Sequence, residues 1–246
     1  ALREGLSVVS GLHRKLSEEP ALVAAATASG QQLIDVRVPP ASIPIASGRQ
    51  RSGKRLLIVG TDCCVGKKYS ALALHKAMKE RGVPATFRAT GQTGMLIAGG
   101  GIPMDAVVSD FLSGAAELLT PDAAPDHWDV IEGQGSIFHP AYAAVTLGLV
   151  HGSQPDAMLL CHAVGRTAID EYEDYPVPDL RECITQYEQA ARVTNAQARV
   201  VGIGLNTQGC DDAGARGACN ELSSLTSLPC IDPMRHALDQ ILDALP

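Results

Sequence analysis

The stretch LIVGTDCCVGKKYSALAL, Leu57 to Leu74, constrains this chain more than any other. A continuous apolar run ends at Gly60-Thr61, and a helical pattern opens at Gly66-Lys67. Strand, glycine-bounded loop and helix in that order form a phosphate-binding loop, whose backbone N–H groups surround an anion while the lysine adds a full charge. A strand apolar on both faces belongs inside a parallel sheet covered by helices. Gly60, Thr61, Asp62, Cys63, Gly66, Lys67 and Lys68 are therefore candidate cofactor-binding residues. The motif G-x-x-x-x-G-K-[ST] ends in a hydroxyl that ligates Mg²⁺. Here Lys68 and Tyr69 follow Lys67, and Ser70 comes three positions past Lys67, so the loop is expected to hold an anion without hydrolysing it.

The rest of the chain repeats the same rhythm. RLLIVG, ATFRATG, WDVIEG, AMLLCH and ARVVGIGLN read as strands. Between them YSALALHKAMKERG, DAVVSDFLSGAAELLT, AYAAVTLGLVHG and PDLRECITQYEQAARVT read as helices, and DQILDAL as a closing helix. Alternation of this kind predicts an α/β fold, a doubly wound, mostly parallel sheet of P-loop NTPase type. Before it, LSVVSG and QQLIDVRV flank a helix with Ser17 as N-cap, Pro20 in its first turn and Gly30 as C-cap. The Pro-, Ser- and Gly-rich run Pro39–Lys54 is the linker. Residues 1–50 are read as the C-terminal part of a small Rossmann-like α/β domain, and 51–246 as the P-loop domain. Ala1 falls inside a helix-then-strand pattern, so residues are expected upstream of it.

Composition excludes several functions. A net charge of -7 over 246 residues argues against a nucleic-acid partner, which requires a basic face. No apolar run reaches the ~20 residues of a membrane span. Seven cysteines without a C-x-x-C pair fit reduced thiols in a cytoplasmic protein, and no metal centre is expected. A homo-oligomer is expected on general grounds.

Ligands of open α/β sheets bind at the carboxyl ends of the strands. Three segments join the loop there. In Trp128–Pro140, Glu132 ends a strand, followed by Gly133, Gln134, Gly135, Ser136 and His139. In Arg88–Asp105, the glycine-rich run suits a loop wrapped around a ligand and begins with Arg88, Thr90, Gln92 and Thr93. Further strand ends supply His162, Arg166 and Asn206, whose amide could read a base edge, while His151 lies at the opposite end.

GTDCCVGKK with VIEGQGS resembles dethiobiotin synthetase, which keeps a threonine at the Lys68 position and lacks TGQTG…AGGGIP. A likeness covering nearly the whole chain lies in SGLH, DVRVPP, GTDCCVGK, ATGQTGMLIAGGGIPMDAVVSDF, EGQGSIFHPAY, TLGLVHGSQPDA, LCH and GLNTQG. These strings resemble a P-loop-containing family, long of unknown function, whose named members are DgcN-type D-glutamate N-acetyltransferases. In that family the loop commonly continues Met-Thr-Thr after Gly-Lys, where this chain has Lys68-Tyr69-Ser70.

The resemblance implies acyl transfer from acetyl-CoA to the amino group of an acidic amino acid. The loop would anchor the CoA phosphates. Glu132 or His139 would serve as base, and Gln92 or the N–H groups of Gly133–Ser136 as oxyanion donors. Arg88 and Arg166 would meet the substrate carboxylates, with Thr90, Thr93, Gln134 and His162 lining the same crevice. Two alternatives remain on sequence: an ATP- and Mg²⁺-dependent ligase or kinase acting on a small carboxylate, and a non-catalytic nucleotide- or CoA-binding protein.

Overall fold

The computed structural model describes residues 1–246. In chain order the strands are β1 Val8–Ser10, β2 Leu33–Asp35, β3 Lys54–Gly60, β4 Ala85–Arg88, β5 Trp128–Ile131, β6 Ala157–Ala163, β7 Ala168–Ile169, β8 Tyr172–Pro176, β9 Arg199–Asn206 and β10 Cys230–Ile231. The α-helices are α1 Pro20–Ser29, α2 Lys67–Glu80, α3 Gln92–Ala98, α4 Leu112–Leu119, α5 Ala143–Ser153, α6 Leu180–Arg192, α7 Asp212–Thr226 and α8 Asp239–Asp243.

Six strands form one sheet in the order β10-β9-β6-β3-β5-β4, and every neighbouring pair is parallel. Side chains alternate across a strand, so β3 feeds two cores at once. Leu57 and Val59 pack with residues of α4, α5, α6 and α7 on one face. Leu56 and Ile58 pack with Ala71, Leu74 and Met78 of α2 and Ile241 of α8 on the other. Each such leucine or isoleucine, essentially fully buried, contributes roughly 1.5–3 kcal/mol. The chain leaves β3 for the edge strand β4, returns to β5 beside β3, then crosses to β6 on the other side. This reversal opens a crevice at the carboxyl ends of β3, β5 and β6.

The N-terminal unit is a parallel β1-β2 pair with α1 as its crossover. Ser17 is not the cap of α1. It lies in a 3₁₀ turn, Leu16–Glu18, whose N–H groups are taken by Asp35: Leu16 donates to Oδ1 at 2.8 Å and Ser17 to Oδ2 at 2.9 Å. Glu19 stands at the N-cap with no side-chain bond, Pro20 opens the helix and Gly30 closes it with φ 68°. Between the units, Ser47 and Gly48 donate backbone N–H groups to Glu117 of α4 at 2.8 Å each.

Three further readings change. The glycine-rich run after β4 contains α3, because Gly91 caps it and Gly99 ends it at φ 72°. The helix expected from Asp105 begins only at Leu112, after two 3₁₀ turns. The hairpin β7-β8, the short β10 and α7 were not expected from sequence. In α7, Gly214 and Gly217 lower helix propensity, yet Asp211 caps Gly214 N at 2.7 Å, and Ala215 and Cys219 are buried. His151 lies in the last turn of α5. No helix is long and apolar enough to cross a membrane.

Candidate active site at the carboxyl edge of the sheet

The phosphate loop runs from Gly60 to Gly66, and α2 starts at Lys67, where the Gly66-Lys67 pair placed its opening. Gly66 has φ 103°, a conformation that favours glycine and points the first N–H groups of α2 into the loop. Lys67 is buried and folds back over the loop, its Nζ donating to the Asp62 carbonyl at 2.7 Å. Burial lowers the pKa of its ammonium, so an anion entering the loop would restore the missing counter-charge. Lys68 is half-buried and lies 4.8 Å from the Tyr69 ring centroid, a cation–π arrangement. Ser70 turns inward: its Oγ donates to Gly66 O at 3.1 Å and lies 3.3 Å from the buried Cys161 thiol. No hydroxyl follows Lys67 into the loop. A cavity of about 440 Å³ opens over it, with Cys63, Gly66, Lys67, Gly133, Gln134 and Asn206 among its lining residues.

Glu132 extends the β5–β4 ladder, its N–H donating to Arg88 O at 3.0 Å. Its Oε2 accepts the N–H groups of Thr90 (3.0 Å) and Gly91 (3.1 Å), while no protein donor reaches Oε1. Burial raises the carboxyl pKa, opposed by those two N–H bonds and by the charges of Lys68 and Lys67. Thr90 Oγ1 donates to Glu132 O at 2.8 Å, and Gln134 Nε2 donates to Thr90 O, which fastens the two strand ends together. A Cβ at Gly133 would lie 1.6 Å from Ile58 O, so the chain after Glu132 passes β3 at a distance that only glycine allows.

Asp62 is fully buried and is the meeting point of three segments. Its Oδ1 accepts Cys63 N–H at 2.6 Å; its Oδ2 accepts Arg166 Nη1 at 3.0 Å and Asp170 N–H at 2.8 Å. Arg166 also pairs with Asp170 Oδ1 at 3.0 Å. His139 is buried against Tyr142 and Tyr172, and a ring nitrogen of it lies within 4.8 Å of the Asp62 carboxylate and the Cys63 thiol. Thr61 Oγ1 sits 2.9 Å from Nδ1 of His162. Burial, then the Arg166 charge, lowers the pKa of that imidazole.

The sequence-derived residues thus separate into groups. Gly133, Gln134, Gly135, Gly66, Lys67, Lys68 and Cys63 line the cavity, and hydrogen bonds through Thr90 join Glu132 to Gln134. Arg88 is bonded to buried Asp129 through Nε at 2.7 Å, leaving its Nη groups without a protein acceptor. The Gln92 side chain packs on the N-terminal unit, where a Cβ on Gly11 would meet its Cγ at 2.5 Å. Thr93 is exposed. Ser136 is buried, and its Oγ accepts Phe138 N–H at 3.2 Å. Asn206 Oδ1 accepts Gln208 N–H at 3.0 Å, leaving its amide N–H groups free.

Sequence reasoning missed Tyr187. From α6 its hydroxyl donates to Gly60 O at 2.7 Å and accepts Ile137 N–H at 3.2 Å, tying the phosphate loop to the Glu132 loop. Burial pushes its phenol up to about 12. The available signal was a tyrosine on the apolar stripe of an amphipathic helix, whose hydroxyl must find a partner once buried.

This geometry agrees with what comparison with known proteins finds. Residues 44–242 match the family model described as a domain of unknown function, DUF1611_C, P-loop domain. Residues 1–39 match that of DUF1611_N, a Rossmann-like domain. The chain belongs to the DUF1611 family. A crystal structure of a DUF1611 family protein from Anabaena variabilis ATCC 29413 superposes with a TM-score of 0.93 at 41% identity, over 99% of this chain and 72% of that one. A protein of Tritonibacter scottomollicae named D-glutamate N-acetyltransferase is 51% identical over 100% of this chain and 74% of its own length. Another of that name, from a Pseudoalteromonas species, is 47% identical over 98% of this chain and 73% of its own.

Proposed function

We propose that this DUF1611 protein is an acetyltransferase that acylates the amino group of D-glutamate and takes its acetyl group from acetyl-CoA. The observation that carries the reading is the 51% identity, over 100% of the chain, to a relative of that name. The site's chemistry supports it. Acetyl-CoA supplies an activated thioester and three phosphate groups. Lys67, Lys68 and the N–H groups at the start of α2 form a cradle of the right sign for such phosphates, and Lys68 replaces the hydroxyl that a magnesium-dependent phosphoryl transfer would use.

Amide formation needs the substrate ammonium deprotonated. Glu132 meets that need: Thr90 and Gly91 fix one oxygen, the other is free, and burial makes the carboxylate a stronger base than an exposed glutamate. The backbone N–H groups of Gly133–Ser136 are the candidate donors to charge developing on the carbonyl oxygen. The free Nη groups of Arg88, and Nη2 of Arg166, are the candidate partners for the two substrate carboxylates. The free cysteines support a reducing, cytoplasmic setting.

Purified protein mixed with acetyl-CoA and D-glutamate in EDTA should release free thiol, followed with a disulfide dye, and should yield N-acetylglutamate by mass spectrometry. No thiol release across D- and L-glutamate and aspartate, together with phosphate release from Mg²⁺-ATP, would replace this reading with the ligase one.

A further inference from the structure

In the loop after Glu132, the backbone N–H groups of Gly133, Gln134, Gly135 and Ser136 donate to no protein acceptor, and the first three residues line the cavity over the phosphate loop. Gly135 has φ 59°, a left-handed turn of the kind that lets successive N–H groups form an anion-binding concavity. The N–H groups that follow are all engaged. Ile137 donates to Tyr187 Oη at 3.2 Å, Phe138 to Ser136 Oγ at 3.2 Å and His139 to Ser136 O at 3.0 Å. The last two bonds stay inside the segment. Apart from the one to Tyr187, no hydrogen bond ties Gly135–Phe138 to another element.

The phenol meets both loops of the site from α6. Its proton goes to Gly60 O at 2.7 Å, and an oxygen lone pair takes the Ile137 N–H. The Gly60–Thr61 peptide is pinned from its other side as well, because Thr61 N–H donates to Cys161 O at 3.0 Å. Helix α6 gives the hydroxyl a fixed base: Leu180, Cys183, Tyr187 and Ala191 are its buried residues, and Glu188 Oε1 accepts Val200 N–H of β9 at 3.0 Å. Phenylalanine would fill the same space, so packing alone does not call for the hydroxyl. Its two partners lie 127 and 50 residues away in sequence, in the two segments that an acyl transfer at this site uses.

We propose that Tyr187 is a positioning residue for acyl transfer: its hydroxyl fixes the free N–H groups of Gly133–Ser136 against the phosphate loop, so that an acetyl carbonyl meets aligned donors while the CoA phosphates are held. The kinetic part of this inference rests on the acetyl-CoA reading; the tethering of the loop does not. Without the hydroxyl the phosphate loop keeps its bond to Cys161 O, whereas the loop after Glu132 is released. The damage therefore falls on the transition state rather than on CoA binding.

Tyr187→Phe should lower kcat about 10- to 100-fold through misaligned oxyanion donors, with KM for acetyl-CoA within about threefold of wild type. The acid limb of its kcat/KM profile should stay at the wild-type pH, because Glu132 is untouched. Ala191→Gly, buried in the same helix, weakens α6 without removing a bond to either loop. Assayed where circular dichroism shows all three proteins folded, it should keep kcat within about twofold of wild type while its Tm falls. An unchanged kcat in Tyr187→Phe, an equal fall in Ala191→Gly, or a shifted acid limb in Tyr187→Phe would overturn the proposal. Amide hydrogen exchange adds a readout that needs no activity. In the wild type the Ile137 amide should exchange about tenfold more slowly than those of Gly133–Gly135, and in Tyr187→Phe it should lose that protection. An Ile137 amide that is fast in the wild type, or still slow in Tyr187→Phe, would also overturn it. If no acetyl transfer occurs at all, the activity reading fails while the exchange rates still judge the tether.

Discussion

Replacing Glu132 by glutamine separates chemistry from architecture at this site. The amide oxygen of glutamine can accept the Thr90 and Gly91 N–H groups that Oε2 accepts now, at 3.0 and 3.1 Å, so the fastening of the two strand ends survives. What disappears is the basic lone pair at Oε1. Loss of a positioned general base costs ~10²–10⁴ in rate, equivalent to about 3–5.5 kcal/mol of barrier, and kcat should fall by that factor. Stability should move the other way. Burial raises the Glu132 carboxyl pKa above the ordinary glutamate value of 4.5, so the folded chain holds this proton more tightly than the unfolded chain. The resulting stability is present below the unfolded pKa and is lost as pH rises through the folded one. At neutral pH the wild type therefore carries the cost of a buried charge that Glu132→Gln lacks, and the variant's Tm should equal or exceed that of the wild type. The assay is steady-state thiol release at several pH values with thermal melts on the same samples. In the wild type kcat/KM should decline on the acid side as Glu132 protonates, a limb the variant should lack. A kcat within about threefold of wild type, or a variant that melts many degrees lower, would refute the reasoning.

Lys67→Met should weaken CoA binding by calorimetry about 10- to 150-fold, the loss of one charged hydrogen bond of ~1.5–3 kcal/mol. Because burial lowers the Lys67 pKa, the wild type should gain stability as pH rises toward the free lysine value, and the variant should gain less. Asp62→Asn removes the buried carboxylate that Arg166 shares with Asp170; a cost of ~1.5–3 kcal/mol predicts a Tm lower by roughly 3–12 °C. Gly133→Ala drives a Cβ toward Ile58 O and should cost ~1–3 kcal/mol, seen by denaturant titration together with weakened CoA binding. Gly217→Ala, in a helix with nothing within 4 Å of the added carbon, should instead stabilise by ~0.5–1 kcal/mol.

The alternation of apolar strands with helical patterns was enough to set the parallel sheet, because a strand buried on both faces leaves its period-two pattern continuous and recognisable. Leu56 to Val59 show this directly, dividing between two cores from one uninterrupted run. The phosphate loop was legible for a similar reason: Gly66-Lys67 acts through backbone that is local in sequence. Elements held by tertiary packing rather than propensity were not legible. The glycine-bearing α7 forms because Ala215 and Cys219 reach the core, and α3 forms where glycines alone predict a loop.

Side-chain commitments were hidden for the same reason. Arg88 reads as a free cation until Asp129, distant in sequence, stands 2.7 Å from it. Ser70 reads as lying off the loop, three positions past Lys67, and the helix turns it toward Gly66 O and Cys161. His139 reads as an imidazole with both nitrogens open until Ala141 N–H reaches its Nδ1 at 3.1 Å. Residue type and order along the chain determined the sheet, the anion loop and the pool of reactive groups. Only the tertiary structure decided which of those groups already spend their charge or lone pair on one another, because that depends on distances of about 3 Å that residue order does not set.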